Sequence, residues 1–207
     1  MTGYWPWLTL ALLGAYHGAN PGMGWLFAVA LGLQERSGRA VLAALPPIAL
    51  GHAVSIGLTI AALAVGQVVL SLAQLRWAVG STLIGFGLYK WFRPRHPRWV
   101  GMRVGFRDLT LWSFLMATAH GAGMMLIPVF LLGAANHAGH DHGLIPQTWA
   151  SYAAAIGVHT AAMLMTAAAI ALVVYHKLGL SILRQAWFNL DRVWALALVC
   201  AGALAAL

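Results

Sequence analysis

Long apolar runs separated by short polar stretches dominate this sequence; the runs lie at approximately 5–33, 41–66, 72–92, 109–134, 148–175 and 192–207. A helix needs about 20 mostly apolar residues to cross a bilayer. Within a bilayer only helices or a closed barrel satisfy the backbone, and continuous Leu- and Ala-rich runs favour helices over alternating strands. We therefore predict an all-α integral membrane protein with six transmembrane helices.

The composition agrees with burial in lipid. Of the 207 residues, 61% are hydrophobic and 8% are charged, whereas a soluble domain carries about a quarter charged residues. The net charge of +8 is best explained by membrane orientation, because cytoplasmic loops collect Lys and Arg. We expect the lipid bilayer as a partner and no nucleic acid. The sequence leaves homo-oligomerisation open.

Basic residues indicate the orientation. Ten of the 12 Lys and Arg residues lie at the end of, or after, the first, third and fifth runs: Arg36, Arg39; Lys90, Arg93, Arg95, Arg98, Arg103, Arg107; Lys177, Arg184. The stretch 135–147 has neither Lys nor Arg. With six spans, all three basic stretches fall on one side of the membrane. We therefore predict a multi-pass protein of the cell (inner) membrane with both termini outside.

An internal repeat divides the chain. His17-Gly18-Ala19 recurs as His120-Gly121-Ala122, His52 has a counterpart in His159, and Arg76-Trp77-Ala78 resembles Arg192-Val193-Trp194-Ala195. Each match is weak alone because Gly and Ala are abundant, but all three recur in the same order. With three spans per unit the second unit is inverted, an architecture common among secondary transporters. The predicted units are residues 1–107 and 108–207.

Four histidines fall at one predicted depth in the membrane: His17, His52, His120 and His159. Each lies about 16–18 Å from the start of its helix, near the middle of a core roughly 30 Å thick. Any one of them can serve simply as a hydrogen-bonding group between helices. Four polar groups at one level favour a functional site, because such groups are costly in lipid and mark pathways or binding sites.

Methionine and asparagine are predicted to complete the site. Met124 follows His120 by four residues and Met163 follows His159 by four, so each pair shares a helix face. Imidazole and thioether ligands suit copper, nickel or cobalt better than magnesium or calcium, although Met is also a common filler of cores.

Asn20-Pro21-Gly22 predicts a break in the first span, where Asn20 is placed to bind a metal or to hold an imidazole. Pro128 predicts a related kink in the fourth span. Both breaks are also compatible with plain packing kinks.

A polar stretch offers a second, peripheral site. His137, His140, Asp141 and His142 are close together in sequence, on the predicted outer side. Three histidines and a carboxylate in a loop can capture a divalent metal loosely; an ordinary polar loop explains them equally well. They do not form the pattern of a closed structural zinc site.

Residues 14–23, Gly-Ala-Tyr-His-Gly-Ala-Asn-Pro-Gly-Met, resemble the first-helix motif of nickel/cobalt efflux proteins of the NicO type, within the LysE-like superfamily. His17, Gly18, Pro21 and Gly22 match, and Gly51-His52 occupies the position of the later Ser-His. The resemblance implies a six-helix metal transporter. Met23 stands where the family has a second histidine, and Asn20 where an acidic residue is usual. These changes imply a softer, less charged site with Met23 as a ligand.

The leading hypothesis is a transition-metal ion transporter, with nickel, cobalt or copper as substrate and efflux as the expected direction; zinc is also a candidate for the bound ion. The alternative is a membrane-embedded metalloenzyme that keeps a histidine-ligated metal permanently. Whether the protein is an enzyme stays open at this point. A passive subunit of a larger helical complex is a third option, but it leaves the level of the four histidines unexplained.

Overall fold

The structure is a computed structural model. Helices make up 90% of the residues that it describes, and these residues contain no strand. The described residues are 4–92, 105–130, 148–178 and 190–206. Their helices are α1 (Trp5–Ala19), α2 (Trp25–Gln34), α3 (Gly38–Ala43), α4 (Leu45–Val69), α5 (Leu72–Phe92), α6 (Phe106–Ala119), α7 (Trp149–Val173) and α8 (Leu190–Ala206). The predicted all-α fold class is confirmed.

Two helical stretches are long and apolar enough to cross a membrane. Gly38–Val69 joins α3 and α4 over 32 residues, and Trp149–Lys177 extends α7 to 29 residues. A third candidate is the pair of α6 and Met124–Phe130, which meet at a bend of 50°. The 15 residues of α1 rise only about 22 Å, less than the roughly 30 Å of a hydrocarbon core. By length and composition, the described chain therefore has two helices that are able to cross a membrane, or three if the bent pair is one span.

The first apolar run is interrupted directly after α1. Asn20 has extended backbone (φ −72°, ψ 121°), as expected of a residue that precedes a proline. Its Oδ1 accepts a hydrogen bond of 2.9 Å from the N–H of Gly22. Pro21–Met23 then form a 3₁₀ turn, and α2 begins after Gly24, whose φ of +113° favours glycine. The predicted break in this run is confirmed.

A comparable break follows α6. Gly121 has a φ of +68°, and the N–H groups of Gly121 and Ala122 donate to carbonyls in the last turn of α6 at 3.0 and 2.9 Å. These two bonds form a Schellman motif with His120 as the C-cap residue. The sequence predicts the kink at Pro128, but the bend lies upstream. Its cause is the left-handed glycine, which ends α6 before the proline is reached.

Three helix pairs hold the described chain together: α1 with α7, α4 with α6, and α5 with α8. The backbones of α1 and α7 touch, since a Cβ on Gly14 or Gly18 would collide with the carbonyl oxygen of His159 or Met163 respectively. Both contacts advance by four residues in the same direction, so α1 and α7 are parallel. Small residues four apart allow this close approach in membrane helices.

The α4–α6 pair is also parallel and is joined by side-chain hydrogen bonds. Ser113 Oγ donates to the Ile48 carbonyl at 2.6 Å, and the hydroxyls of Ser55 and Thr118 lie 2.9 Å apart. Gly51 lies between these bonds, and a Cβ there would collide with the backbone of α6. Interhelical hydrogen bonds of this kind fix the register of two membrane helices.

The α5–α8 pair runs in the opposite sense. A Cβ on Gly80 would approach Gly202 and Ala206, whereas a Cβ on Gly87 would approach Ala195 and Val199. As the residue number rises along α5, the contacted number falls along α8, so the two helices are antiparallel.

We predict that Gly18→Ala lowers stability by about 1–3 kcal/mol, the usual consequence of inserting a methyl group into a packed contact. The added Cβ would strike the α7 backbone and force α1 away from it. Gly157→Ala is the matched control, because a Cβ at that position meets nothing within 4 Å. Thermal unfolding of the detergent-solubilised variants measures the difference. Equal unfolding temperatures for the two variants would show that α1 and α7 do not need this close contact.

Candidate functional site

Three imidazole rings from three helices are in mutual contact inside the bundle. The ring centroids of His17 and His52 lie 5.4 Å apart, those of His17 and His159 lie 4.9 Å apart, and those of His52 and His159 lie 5.4 Å apart. All three residues have no exposed surface. We call this trio the histidine cluster. It brings together three of the four histidines that the sequence predicts at one level.

Backbone carbonyls orient the rings. His17 and His120 each bond from Nδ1 to the carbonyl four residues earlier, at 2.9 and 2.8 Å, and His159 Nδ1 bonds to the carbonyl of Leu10 in α1 at 3.2 Å. A carbonyl oxygen can only accept, so Nδ1 carries the proton in each of these rings. In the neutral form Nε2 is then the lone-pair nitrogen, which is the one that can bind a metal ion or accept a proton.

His52 is held differently. Neither of its ring nitrogens hydrogen-bonds to the residues that the structure describes, and the same holds for Nε2 of His159. Leaving a buried polar atom unsatisfied costs about 1–3 kcal/mol, and such atoms are rare enough in folded proteins to need an explanation. Buried nitrogens of this kind are chemically suited to a cation ligand.

The spacing of the rings fits a shared metal ion. With metal–nitrogen bonds of about 2.0–2.1 Å and a ring radius of ~1.1 Å, two imidazoles on one tetrahedral metal have centroids roughly 5.2 Å apart. The observed separations of 4.9–5.4 Å bracket that value.

The donor directions do not fit such an ion as they stand. No group of three or more His, Cys, Asp or Glu side chains within the described ranges is arranged to hold a metal ion. The ring spacing and the absence of a ready metal-holding group are compatible. Ring centroids can be suitably spaced while the ring nitrogens point away from a common centre. The cluster therefore has the dimensions of a metal site, and its rings must turn about Cβ–Cγ, a torsion with a broad energy profile, before they can chelate.

His120 lies next to the cluster, at the break that follows α6. It is 1% exposed and interacts electrostatically with His17. A Cβ on Gly22 would lie 3.5 Å from Cε1 of His120, 3.3 Å from the methyl of Met116 and 3.2 Å from Oδ1 of Asn20. The two helix breaks therefore meet at Gly22.

The other predicted ligands have structural surroundings of their own. The Oδ1 of Asn20 caps the turn that follows it, and the residue is 5% exposed. Met163 is fully buried in an apolar cluster that includes Trp25. Met23 and Met124 pack in a second apolar cluster around Leu198. The thioethers thus lie among apolar side chains, and their role as ligands stays a prediction.

The predicted peripheral site falls outside the described residues. His137, His140, Asp141 and His142 belong to the stretch 131–147, which lies between two described ranges. Their capture of a metal ion stays a prediction.

Two features of the site were not anticipated from the sequence. Gly14 and Gly18 place α1 against α7, and their spacing of four residues is a readable signal for close helix packing. Met116 accepts the His120 hydrogen bond through its carbonyl and is 1% exposed. Its position four residues before His120 is the corresponding signal.

No protein-family model, curated protein or solved structure matches this chain. The resemblance of residues 14–23 to NicO-type proteins rests on its short motif alone and stays a prediction.

We predict that His52→Leu keeps or raises the thermal stability of the protein. The substitution removes two buried nitrogens that have no hydrogen-bond partner among the described residues, and an apolar group of similar size can replace such a side chain without loss. The control is Ser113→Ala, which deletes the 2.6 Å bond to Ile48 and should cost about 1 kcal/mol. Unfolding temperatures in detergent measure both effects. A larger fall in unfolding temperature for His52→Leu than for Ser113→Ala would contradict this explanation of His52.

Proposed function

We propose that the protein is a membrane transporter of a transition-metal ion, with efflux as the expected direction, and that the histidine cluster is its substrate-binding site. The supporting observation is the contact of three fully buried imidazoles from α1, α4 and α7 at separations that suit one metal ion. Nickel, cobalt and copper all accept imidazole ligands. His120 borders the cluster and supplies a fourth imidazole.

Among the described side chains, no buried carboxylate accompanies the histidine cluster, which favours brief binding. Glu35 and Asp108 are the carboxylates whose side chains the structure describes, and both are exposed. A cation among neutral ligands in a low-dielectric interior keeps an uncompensated charge, which is costly. The cost of burying the ion rises with the square of its charge, so it is smaller for Cu⁺ than for Ni²⁺ or Co²⁺. A weakly held ion suits transport, which requires release as well as binding.

The packing pattern supports two inverted three-helix repeats, residues 1–107 and 108–207. When α1, α4 and α5 are exchanged for α6, α7 and α8, the α1–α7 pair becomes the α6–α4 pair and the α5–α8 pair becomes itself. His17 and His120 match in detail, since each bonds to the carbonyl four residues back and each lies at a helix break. Inverted repeats with broken helices around a midplane site are typical of secondary transporters.

The helix directions agree with six alternating spans, and the positions of the basic residues agree with both termini outside. If the chain crosses alternately, with α1 and α2 as one broken span, spans one and five are parallel, as are spans two and four, while spans three and six are antiparallel. The α1–α7, α4–α6 and α5–α8 pairs have these directions. The exposed basic residues Arg36, Arg107 and Lys177 then share one side, as the positive-inside rule requires of the cytoplasmic face.

The competing function is an embedded enzyme with a permanent metal. Such sites are preorganised, with three protein ligands already converged on the ion. The described His, Cys, Asp and Glu side chains form no such group, so a permanent metal would require the rings of the histidine cluster to turn first. Among known families, the motif at residues 14–23 agrees with the nickel/cobalt efflux proteins of the NicO type.

We predict that His17→Ala, His52→Ala and His159→Ala each weaken metal binding by about tenfold to hundredfold or more. A loss of this size already follows when a residue that supports a metal ligand is removed. His176→Ala is the control, because His176 is an exposed histidine beyond the end of α7. Equilibrium binding of Cu⁺, Ni²⁺, Co²⁺ and Zn²⁺ to protein in lipid nanodiscs measures affinity, and flux into proteoliposomes measures transport.

The same experiment can refute the proposal in two ways. If the three cluster variants bind every metal as the parent does, the cluster is not the site. If the parent binds a metal that neither exchanges nor crosses the proteoliposome membrane, the protein holds a resident metal and is not a transporter.

A further inference from the structure

One face of α4 carries polar side chains at intervals from the histidine cluster almost to the end of the helix. His52, Ser55, Thr59 and Gln67 follow one another at intervals of three, four and eight residues, which keeps them on the same side of a helix. From His52 to Gln67 the helix rises about 22 Å. Polar side chains in a membrane helix normally face a partner or a cavity, because lipid does not satisfy them.

The first half of this face is lined by the α6 break. The hydroxyl of Ser55 meets that of Thr118 at 2.9 Å. Thr59 lies against Gly123, where any Cβ would collide with the Thr59 side chain. Beyond the histidine cluster, the polar face is thus bordered by hydroxyl oxygens and by the break that follows α6. Broken helices expose backbone groups that can line an ion route.

A group of apolar side chains, here called the plug, then interrupts the polar face. Leu63 lies between Thr59 and Gln67 on the same side of α4 and is 3% exposed. It packs in a buried cluster with Phe130 and Tyr152, whose rings meet edge to face with centroids 5.4 Å apart. Beyond this plug, the Tyr152 hydroxyl donates a long hydrogen bond of 3.5 Å to Oε1 of Gln67.

We propose that the polar face of α4 is the route by which an ion moves between the histidine cluster and the side of the membrane at the C-terminal end of α4, and that Leu63, Phe130 and Tyr152 form its gate. The proposal rests on the proposed function for the nature of the ion. The hydroxyls of Ser55 and Thr59 replace part of the ion's hydration, and Gln67 receives it beyond the gate. Apolar constrictions of this kind control ion routes by excluding water.

Water access to Thr59 tests the proposal directly. Cys200 is the single cysteine of the chain, so a Cys200→Ala background allows one cysteine to be introduced at a time. Thr59→Cys reports on the polar face. Leu58→Cys is the matched control, because the neighbouring Leu58 is 59% exposed on the outer surface of the bundle, where it faces lipid. The probe is a small cationic methanethiosulfonate, added to the full-length protein in nanodiscs and followed by intact mass.

Opening the gate should accelerate modification of the polar face alone. In the Thr59→Cys protein we expect Leu63→Ala, and independently Phe130→Ala, to raise the modification rate by about tenfold or more, because that rate follows the population of the opened state. The Leu58→Cys rate should not change. Two gate variants are used so that a folding defect in one still leaves a test.

Two results would overturn the route. In the first, neither gate variant accelerates the Thr59→Cys reaction, and the hydroxyls then serve helix packing only. In the second, Leu58→Cys accelerates equally, and the variants then loosen the whole bundle. Neither result depends on metal binding. Loss of the proposed function would appear separately, as failure of the parent protein to bind or transport any metal.

Discussion

The close contact of α1 with α7 at Gly14 and Gly18 is the constraint on which the histidine cluster depends. In lipid no hydrophobic force draws two apolar helices together, so packing and hydrogen bonds must do so. The same contact positions His17 beside His159 and lets His159 Nδ1 reach the carbonyl of Leu10. A shift of one helical turn, about 5.4 Å, would separate the rings and break this bond. The contact between the backbones of α1 and α7 therefore fixes the relative positions of His17 and His159.

Much of this arrangement follows from local sequence. The apolar runs locate the helices, and the depth of each histidine, counted along its run, anticipates that His17, His52 and His159 meet. The break after α1 follows from Asn20-Pro21, since proline lacks the N–H that a helix needs. The sequence predicts the break after α6 at Pro128 instead of Gly121, because the Schellman motif at Gly121 becomes evident only once the carbonyl partners of its N–H groups are known.

Tertiary relations were harder to derive. The pairing of α1 with α7 and of α4 with α6 joins helices that are far apart in sequence, and no single periodicity specifies it. The spacing of Gly14 and Gly18 indicates a close contact but does not name the partner helix. The side-chain directions of Met124 and Met163 likewise depend on neighbouring helices, and both methionines lie in apolar clusters. The helical class and the meeting of three histidines were thus predictable, whereas helix partners and ligand directions were not.

The central claim is that buried imidazoles bind the transported metal ion. X-ray absorption spectroscopy of the protein loaded with Ni²⁺, Zn²⁺ or Cu⁺ tests it most directly, because imidazole ligands give a nitrogen shell near 2.0–2.1 Å with outer-ring scattering. Three or four such ligands are expected, reduced by one in His159→Ala and unchanged in His176→Ala. A sulfur shell would add one of Met23, Met124 or Met163 to the site. An oxygen-only shell that is the same in the parent and in His159→Ala would contradict the account.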